Sequence, residues 1–185
     1  MTAAVQPAGP VLELDGFVWR RAYADDAIAL ESLAARGANR RLFNLPTSAE
    51  AFAARIGRPG FTLPMLCTRG AQPFGAAATT RRNLRSLNAQ LLCFFAQPAR
   101  AAVPLATYLR HVFWTVPLHR VYVQLPLVAG ASAYVRLLTA CGFQQEGVLR
   151  NYAVLDERLF DVAGFGLLRP EFEEWCRENE SRLKL

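Results

Sequence analysis

The chain has 185 residues, of which 52% are hydrophobic and 19% are charged. This composition is typical of a globular protein and excludes an intrinsically disordered one. The length suits one domain, residues 11–185, after a loose tail over residues 1–10. No apolar run approaches the length of a membrane span, so no membrane association is expected.

The four cysteines are scattered along the chain, no Cys-x-x-Cys pair occurs, and the two histidines are isolated. This pattern favours free, buried thiols in a reducing compartment over a zinc site, so no metal is expected. The first residues lack the basic start and apolar stretch of a signal peptide. We therefore expect a cytoplasmic protein.

The formal net charge is +6, from 20 arginines and one lysine. Such an excess favours an acidic partner or a phosphorylated cofactor. The densest cluster, Arg81, Arg82 and Arg85, is interpreted as a solvated hairpin turn. No aromatic residue lies within that cluster, so bases would have no stacking surface and no nucleic-acid binding is expected.

Alternating apolar residues separated by turn residues predict strands over residues 11–14, 17–22, 62–68, 73–80 and 86–96. Two helices are predicted between the second and third strands. Asp25 can cap the first, which Gly37 ends, and Ser48 begins a short second one that runs to about residue 56. The longest strand is continuously apolar over residues 91–95, which is typical of the middle of a sheet.

In the second half, helices are predicted over residues 101–115 and 132–141, with Ser132 as N-cap of the latter and Gly142 as its end. Apolar runs predict a strand over residues 120–125 and a hairpin of two strands over 143–155 and 159–168. The hairpin turns at Asp156 and Glu157. Arg169 and Pro170 lead into a final amphipathic helix. The order of elements predicts an α/β fold with a mixed sheet and helices on both faces.

The last third of the chain carries the most specific pattern. A helix stopped by Gly142 is followed by a strand entered at Phe143, the run Glu146-Gly-Val-Leu-Arg150, and a single acid, Asp161, before the final apolar strand. This order resembles the end of the GNAT acyltransferases, above all the branch that acetylates the N-termini of ribosomal proteins. The likeness covers roughly residues 11–175. It implies a mostly antiparallel sheet with one parallel pair, strands 86–96 and 120–125, which diverge at their C-terminal ends.

The resemblance implies acetyl-CoA, or another acyl-CoA, as co-substrate. In the family the long strand carries the pantetheine arm, and the loop before the next helix binds the pyrophosphate with glycines and a helix N-terminus. The positions that correspond to these contacts are Phe94, Phe95, Ala96, Gln97, Arg100, Ala101 and Ala102. The loop departs from the family pattern because it has no glycine, and Pro104 removes one N–H donor.

The resemblance also implies a proton donor to the departing thiolate in the helix before Gly142. Counting back from Gly142, the family's Asn position holds Ala131, its Ser position holds Tyr134, and its later Tyr position holds Leu138. Tyr134 can donate a proton and is the candidate catalytic residue. The alternative is an aromatic side chain that only packs against the core.

No general base is evident. Related enzymes often place a Glu on the long strand, where this chain has Gln90, which cannot accept the proton of an amine. The acids nearest the cleft in sequence are Glu146 and Asp161, and we interpret Asp161 as structural. Cys93 is interpreted as a core thiol because neither histidine is placed to activate it.

Two hypotheses remain open. The first is an acetyl-CoA-dependent N-acetyltransferase that acts on the amine of a small molecule or of a protein N-terminus, with a homodimer compatible with this function. The second is a GNAT-shaped binding or scaffold protein without turnover, which the glycine-free loop favours.

Overall fold

Segments with period-two apolar patterns pair into one eight-stranded sheet in the computed structural model, which describes residues 12–56, 58, 62–83 and 85–183. The strands are β1 (Leu12–Leu14), β2 (Phe17–Arg21), β3 (Thr62–Arg69), β4 (Gln72–Asn83), β5 (Asn88–Phe95), β6 (Arg120–Pro126), β7 (Gln144–Leu155) and β8 (Arg158–Leu168). The predicted N-terminal tail lies outside the described residues.

The order of the strands across the sheet is β1-β2-β3-β4-β5-β6-β8-β7. All neighbouring strands are antiparallel except β5 and β6, which are parallel. The long apolar strand β5 therefore lies inside the sheet, as its lack of polar alternation predicted. This mixed α/β architecture confirms the predicted fold class.

The helices are α1 (Ala27–Ala34), α2 (Asn39–Phe43), α3 (Ala49–Ile56), α4 (Ala102–Thr115), α5 (Ala131–Ala140), α6 (Arg169–Glu178) and α7 (Glu180–Leu183). Short 3₁₀ turns precede α1 and α4, at Ala24–Asp26 and Pro98–Arg100. Among the described residues, no helix is both long and apolar enough to cross a membrane.

Consecutive residues of β5 show how the helices divide between the two faces of the sheet. The ring of Phe94 lies 6.2 Å from that of Phe52 in α3. The ring of Phe95 lies 6.3 Å from Trp19, which in turn contacts Tyr108 of α4. Since neighbouring residues of a strand point to opposite faces, α3 and α4 cover opposite faces of the sheet.

Turn residues set several boundaries as predicted. Gly142 follows α5 with φ of 88°, a left-handed conformation that suits glycine. The turn between β7 and β8 has Asp156 and Glu157 at φ of 49° and 62°. Ser48 begins α3 and accepts a hydrogen bond from the Ala51 amide at 3.3 Å. The four cysteines are buried and free, which confirms their predicted role as core thiols.

Four local predictions were wrong. The arginine cluster is not wholly a turn, because Arg81 and Arg82 belong to β4. Ser132 is not the N-cap of α5, since that position is Gly130. Asp25 does not cap α1, which begins at Ala27 after a 3₁₀ turn. Helix α2 was missed, because five residues after a glycine carry too little periodicity to stand out.

Asp26, rather than Asp25, is the acid that holds the entry to α1. Its carboxylate accepts hydrogen bonds from Arg20 and from the Tyr23 amide. Burial alone would raise the pKa of Asp26, but the Arg20 and Tyr23 hydrogen bonds outweigh it and lower the pKa below its ordinary value. The charged form is therefore the one that the fold stabilises.

We expect Asp26→Asn to lower the free energy of unfolding at pH 7 by about 1–2 kcal/mol. A carboxylate whose pKa is depressed in the folded protein stabilises the fold fully at pH values above its pKa in the unfolded chain, about 4. That stabilisation is lost as the pH falls through the pKa in the folded protein. The difference from wild type should thus shrink as the pH falls below about 4 in urea titrations. Asp25→Asn, in the exposed neighbouring position, is the matched control and should change little.

Candidate active site

The sheet opens between its two parallel strands. Residues 88–90 of β5 pair with residues 120–122 of β6, after which β6 continues beside β8 along its whole length. The C-terminal half of β5, which ends at Phe95, keeps its pairing with β4 but no longer pairs with β6. The predicted divergence of these two strands is therefore confirmed, and the opening lies beside Phe95.

Tyr134 of α5 reaches this opening. Its hydroxyl accepts a hydrogen bond from the Phe95 amide at 2.8 Å and donates one to Oδ1 of Asn39 at 2.6 Å. The side chain is 2% exposed, and its ring meets that of Phe43 edge to face, with centroids 4.9 Å apart. The candidate catalytic residue is thus buried beside the opening and already bonded to the β5 backbone.

Asn39 of α2 bonds to both Phe95 and Tyr134. Its Nδ2 donates to the Phe95 carbonyl at 3.0 Å and to the Leu33 carbonyl at 2.9 Å. The amide and the carbonyl of Phe95 are therefore both bonded to side chains, Tyr134 and Asn39. Sequence reasoning missed Asn39 together with its helix. The available signal was the apolar pair Leu42 and Phe43 three and four residues further on, which is helical spacing.

The environment of Tyr134 keeps its hydroxyl protonated. Burial is the main cause that raises the pKa of Tyr134 well above its usual value, and the nearby Cys93 thiol adds to this. The hydrogen bond from the Phe95 amide opposes the rise without cancelling it. A phenol that carries its proton at neutral pH can act as a donor, although the proton here points to Asn39.

The loop between β5 and α4 uses its own backbone donors to form a tight turn. The Arg100 amide donates to the Gln97 carbonyl at 3.0 Å, and the Ala101 amide to the Pro98 carbonyl at 3.1 Å. Ala101 is fully buried, whereas the side chains of Gln97 and Arg100 are exposed. The donors that remain to bind a phosphate are the Arg100 guanidinium and the N-terminal amides of α4, which begins at Ala102.

Phe94 and Ala96 flank Phe95 but lie away from the opening. Phe94 is buried among apolar residues on the α1–α3 face, and the Ala96 amide continues the pairing with β4 by donating to the Phe74 carbonyl at 2.8 Å. On β4, Gly75 lies opposite Phe95, and a methyl group at Gly75 would overlap the Phe95 ring. Of the predicted pantetheine positions, Phe95 is thus the one that meets Tyr134.

Two grooves lie on the face of the sheet that carries α2 and α3. The smaller groove, ≈ 330 Å³, crosses the point where β5 and β6 part and extends to β7 and β8. The larger groove, ≈ 850 Å³, lies between α3, β4 and β5. Both grooves are lined by Phe43, Asn44, Gln90 and Leu92, so they adjoin.

Comparison with solved structures finds the same architecture. The chain superposes on ribosomal-protein-S5-alanine acetyltransferase from Vibrio fischeri with a TM-score of 0.71 at 12% identity, over 89% of this chain and 99% of that one. For RimJ from Mycobacterium smegmatis in complex with CoA-disulfide the TM-score is 0.66 at 18% identity, over 88% and 87%. For a variant of the spermidine N-acetyltransferase SpeG from Vibrio cholerae it is 0.70 at 18% identity, over 85% and 96%. No protein-family model and no curated protein matches the sequence.

The chain has the GNAT fold. The fold that the resemblance implied is therefore confirmed, and one of these neighbours is named for a ribosomal protein. Within the GNAT fold, β5 and β6 are the parallel pair that opens, and Tyr134 lies on the helix that follows β6.

The candidate bases of this GNAT fold are occupied by structural bonds. Glu146 pairs with Arg120. Asp161 accepts a hydrogen bond from the Asn151 amide at 2.8 Å across a register shift between β7 and β8, which supports the structural interpretation of this acid. Burial raises the pKa of Cys93 strongly, and the Cys141 thiol adds to the rise, so Cys93 is not a thiolate.

The acidic residues of the chain are unevenly distributed along the sequence. Residues 51–145, which include β3–β6, α4, α5 and the part of α3 after Glu50, contain no Asp or Glu. The parallel strands β5 and β6, and the helices α4 and α5 that follow them, therefore carry no acid. Gln90, in the position where related enzymes have a Glu, lines both grooves and cannot act as a base.

Proposed function

We propose that the protein is an acyl-CoA-dependent N-acyltransferase, with acetyl-CoA as the expected donor. The observation that carries the proposal is the position of Tyr134, a protonated phenol bonded to the Phe95 amide where the parallel strands of a GNAT fold part. The acceptor is the amine of a small molecule or of a protein N-terminus. A cytoplasmic location and a homodimer are part of this proposal.

The proposed transfer is direct. The amine nitrogen forms a bond to the thioester carbonyl carbon and the C–S bond breaks. The CoA thiolate takes the proton of Tyr134, the amine loses its proton to water, and water returns a proton to the Tyr134 phenolate. The enzyme mainly holds the reactants together. The Phe95 amide, which donates to Tyr134 in the free protein, is the backbone donor available to the carbonyl oxygen once the hydroxyl moves to the thiolate.

Ligand binding and turnover test this proposal separately. Acetyl-CoA at a hundred times its dissociation constant should stabilise the protein by about 2.7 kcal/mol, measured as a shift of the unfolding midpoint. Longer acyl-CoAs and free CoA form the comparison series. Turnover is measured as release of CoA thiol in the presence of a panel of amines. If no acyl-CoA shifts the unfolding midpoint and none releases thiol, the acyltransferase proposal is excluded.

Arg100→Ala should weaken binding of acetyl-CoA by about 1.5–3 kcal/mol, the contribution of a charge-assisted hydrogen bond. Arg100 is exposed in the 3₁₀ turn before α4 and is the cation of the loop 97–104. Titration calorimetry gives the affinity. Arg136→Ala removes an equally exposed arginine of α5 and should leave the affinity within about twofold. Equal affinities for wild type and Arg100→Ala would place the phosphates elsewhere.

A binding protein without turnover is the second candidate, and two observations favour it. Both backbone groups of Phe95 are already bonded to side chains, and the amides of Arg100 and Ala101 are bonded within their own turn. An acyl-CoA that used the Phe95 backbone groups already in the bound state would have to displace Tyr134 and Asn39 from them. The thermal-shift series separates the candidates, because a protein that keeps these bonds closed shows no stabilisation by any acyl-CoA.

A further inference from the structure

The charged residues that line the two grooves are all arginines. Arg55, Arg58 and Arg81 line the larger groove. Arg41 lines the smaller groove, where its charge is balanced by an ion pair with Asp156 at 2.8 Å. Among the described residues that line either groove, none is Asp or Glu. The strands β4, β5 and β6 could not supply one, because they fall within the acid-free segment 51–145, and Glu50 of α3 lines neither groove.

Arg55 of the larger groove is held in place by a hydrogen bond. Arg55 donates from Nη1 to the Asn44 carbonyl at 3.0 Å, which fixes it at the junction of the two grooves. Burial lowers the pKa of Arg55, and the like charge of Arg58 lowers it further, so these two cations lie close enough to repel each other. A negatively charged ligand would relieve that repulsion.

Arg81 enters the groove because β4 is irregular there. The pairing of β4 with β5 shifts register between Thr80 and Asn83, and Arg81 has φ of 48°, in the left-handed region. A bulge of this kind turns a side chain out of the strand alternation. The next residue, Arg82, does not line either groove and so provides an internal reference.

We propose that the acceptor amine carries carboxylate groups near the amine, as an acidic peptide N-terminus or an amino-dicarboxylate does. This inference rests on the proposed acyltransferase function and names its acceptor class. A groove with several arginines and no carboxylate attracts such an acceptor and repels a polyamine, the acceptor for which the SpeG neighbour is named. Arginine also matches the planar carboxylate with paired N–H donors.

The test uses peptides of equal length with a free N-terminus, whose second to fourth residues are all acidic, all neutral or all basic. With acetyl-CoA, we expect kcat/KM for the acidic peptide to exceed that for the basic one by about 10–10³-fold, mostly through KM. The preference should shrink as salt is added, because ions screen exposed charges. Free glutamate and aspartate, tested beside the peptides, distinguish a small acceptor from a peptide.

Two charge-reversed variants locate the effect. Arg58→Glu and Arg81→Glu should each lower kcat/KM for the acidic peptide about 10-fold or more while changing the neutral peptide little. Arg82→Glu changes the net charge equally but lies outside the grooves, so it should preserve the preference. A preference lost equally in Arg82→Glu, or one that favours the basic peptide or spermidine, would overturn the inference.

Direct binding of the same peptides, measured by fluorescence anisotropy without acyl-CoA, keeps this inference separate from the proposed function. Preferential binding of acidic peptides without acetylation would contradict the acyltransferase proposal and support an anionic ligand. Turnover without a preference for acidic peptides would support the acyltransferase proposal and contradict the acidic acceptor.

Discussion

Tyr134→Phe should lower the turnover number about 10²–10⁴-fold, the usual effect of removing a general acid. The substitution keeps the ring, which packs against Phe43, and removes only the hydroxyl between the Phe95 amide and Asn39. Affinity for acetyl-CoA should change little, because the proton is needed when the thiolate leaves. The measurement is thiol release at saturating acetyl-CoA, with affinity from calorimetry.

Tyr108→Phe is the matched control. Tyr108 of α4 is also fully buried, and its hydroxyl donates to the Leu63 carbonyl at 3.1 Å, away from the opening between β5 and β6. Its loss should cost a comparable amount of stability and leave turnover unchanged. If Tyr134→Phe turns over like wild type, the residue only packs. Tighter binding of acetyl-CoA without loss of rate would show instead that the hydroxyl blocks the cleft.

Asn39→Leu should lower the free energy of unfolding by about 3–5 kcal/mol. Asn39 is 2% exposed and joins three elements, since it bonds to carbonyls of α1 and β5 and accepts the Tyr134 hydroxyl of α5. Leucine is similar in size but leaves these groups without a partner in a buried site, where each lost partner costs about 1–3 kcal/mol. Urea unfolding of the two proteins measures the difference.

Thr107→Val provides the comparison for Asn39. Thr107 is also buried, but its hydroxyl donates to Val103, one turn earlier in the same helix, at 3.0 Å. Such a bond within a helix joins no separate elements, so its removal should cost less than about 1 kcal/mol. If Asn39→Leu also lowers the free energy of unfolding by less than about 1 kcal/mol, the Asn39 amide does not join the three elements.

The fold was predictable because its signals are local. Gly142 marks the end of α5 by its own conformation, and Asp156 and Glu157 mark the turn between two apolar strands. Tyr134 could be placed because it lies on the helix that Gly142 follows, a fixed count before that glycine. Register errors at Ser132 and Asp25 stayed within a turn of helix, where several polar residues compete for one capping position.

The contacts of the candidate site were not predictable in the same way. Asn39 lies on a five-residue helix, and its bonds reach 56 residues to Phe95 and 95 residues to Tyr134. No local pattern encodes such a contact. The absence of acids from residues 51–145 could be read from the sequence, but it did not show which arginines line the grooves. Arg81 does so because of an irregularity in strand pairing, which depends on the partner strand.

The lining of the two grooves has a consequence for the kind of nitrogen that could react there. The described residues lining them include no carboxylate, imidazole, thiol or lysine, so water must take the proton of the amine. An α-amino group, with a pKa of about 7.7–8.0, is partly unprotonated at neutral pH, whereas a lysine side chain, at about 10.4, is almost wholly an ammonium. The difference in reactive fraction is about 10²–10³-fold. The intrinsic basicity of the acceptor would therefore select chain termini over side chains before any contact discriminates between them.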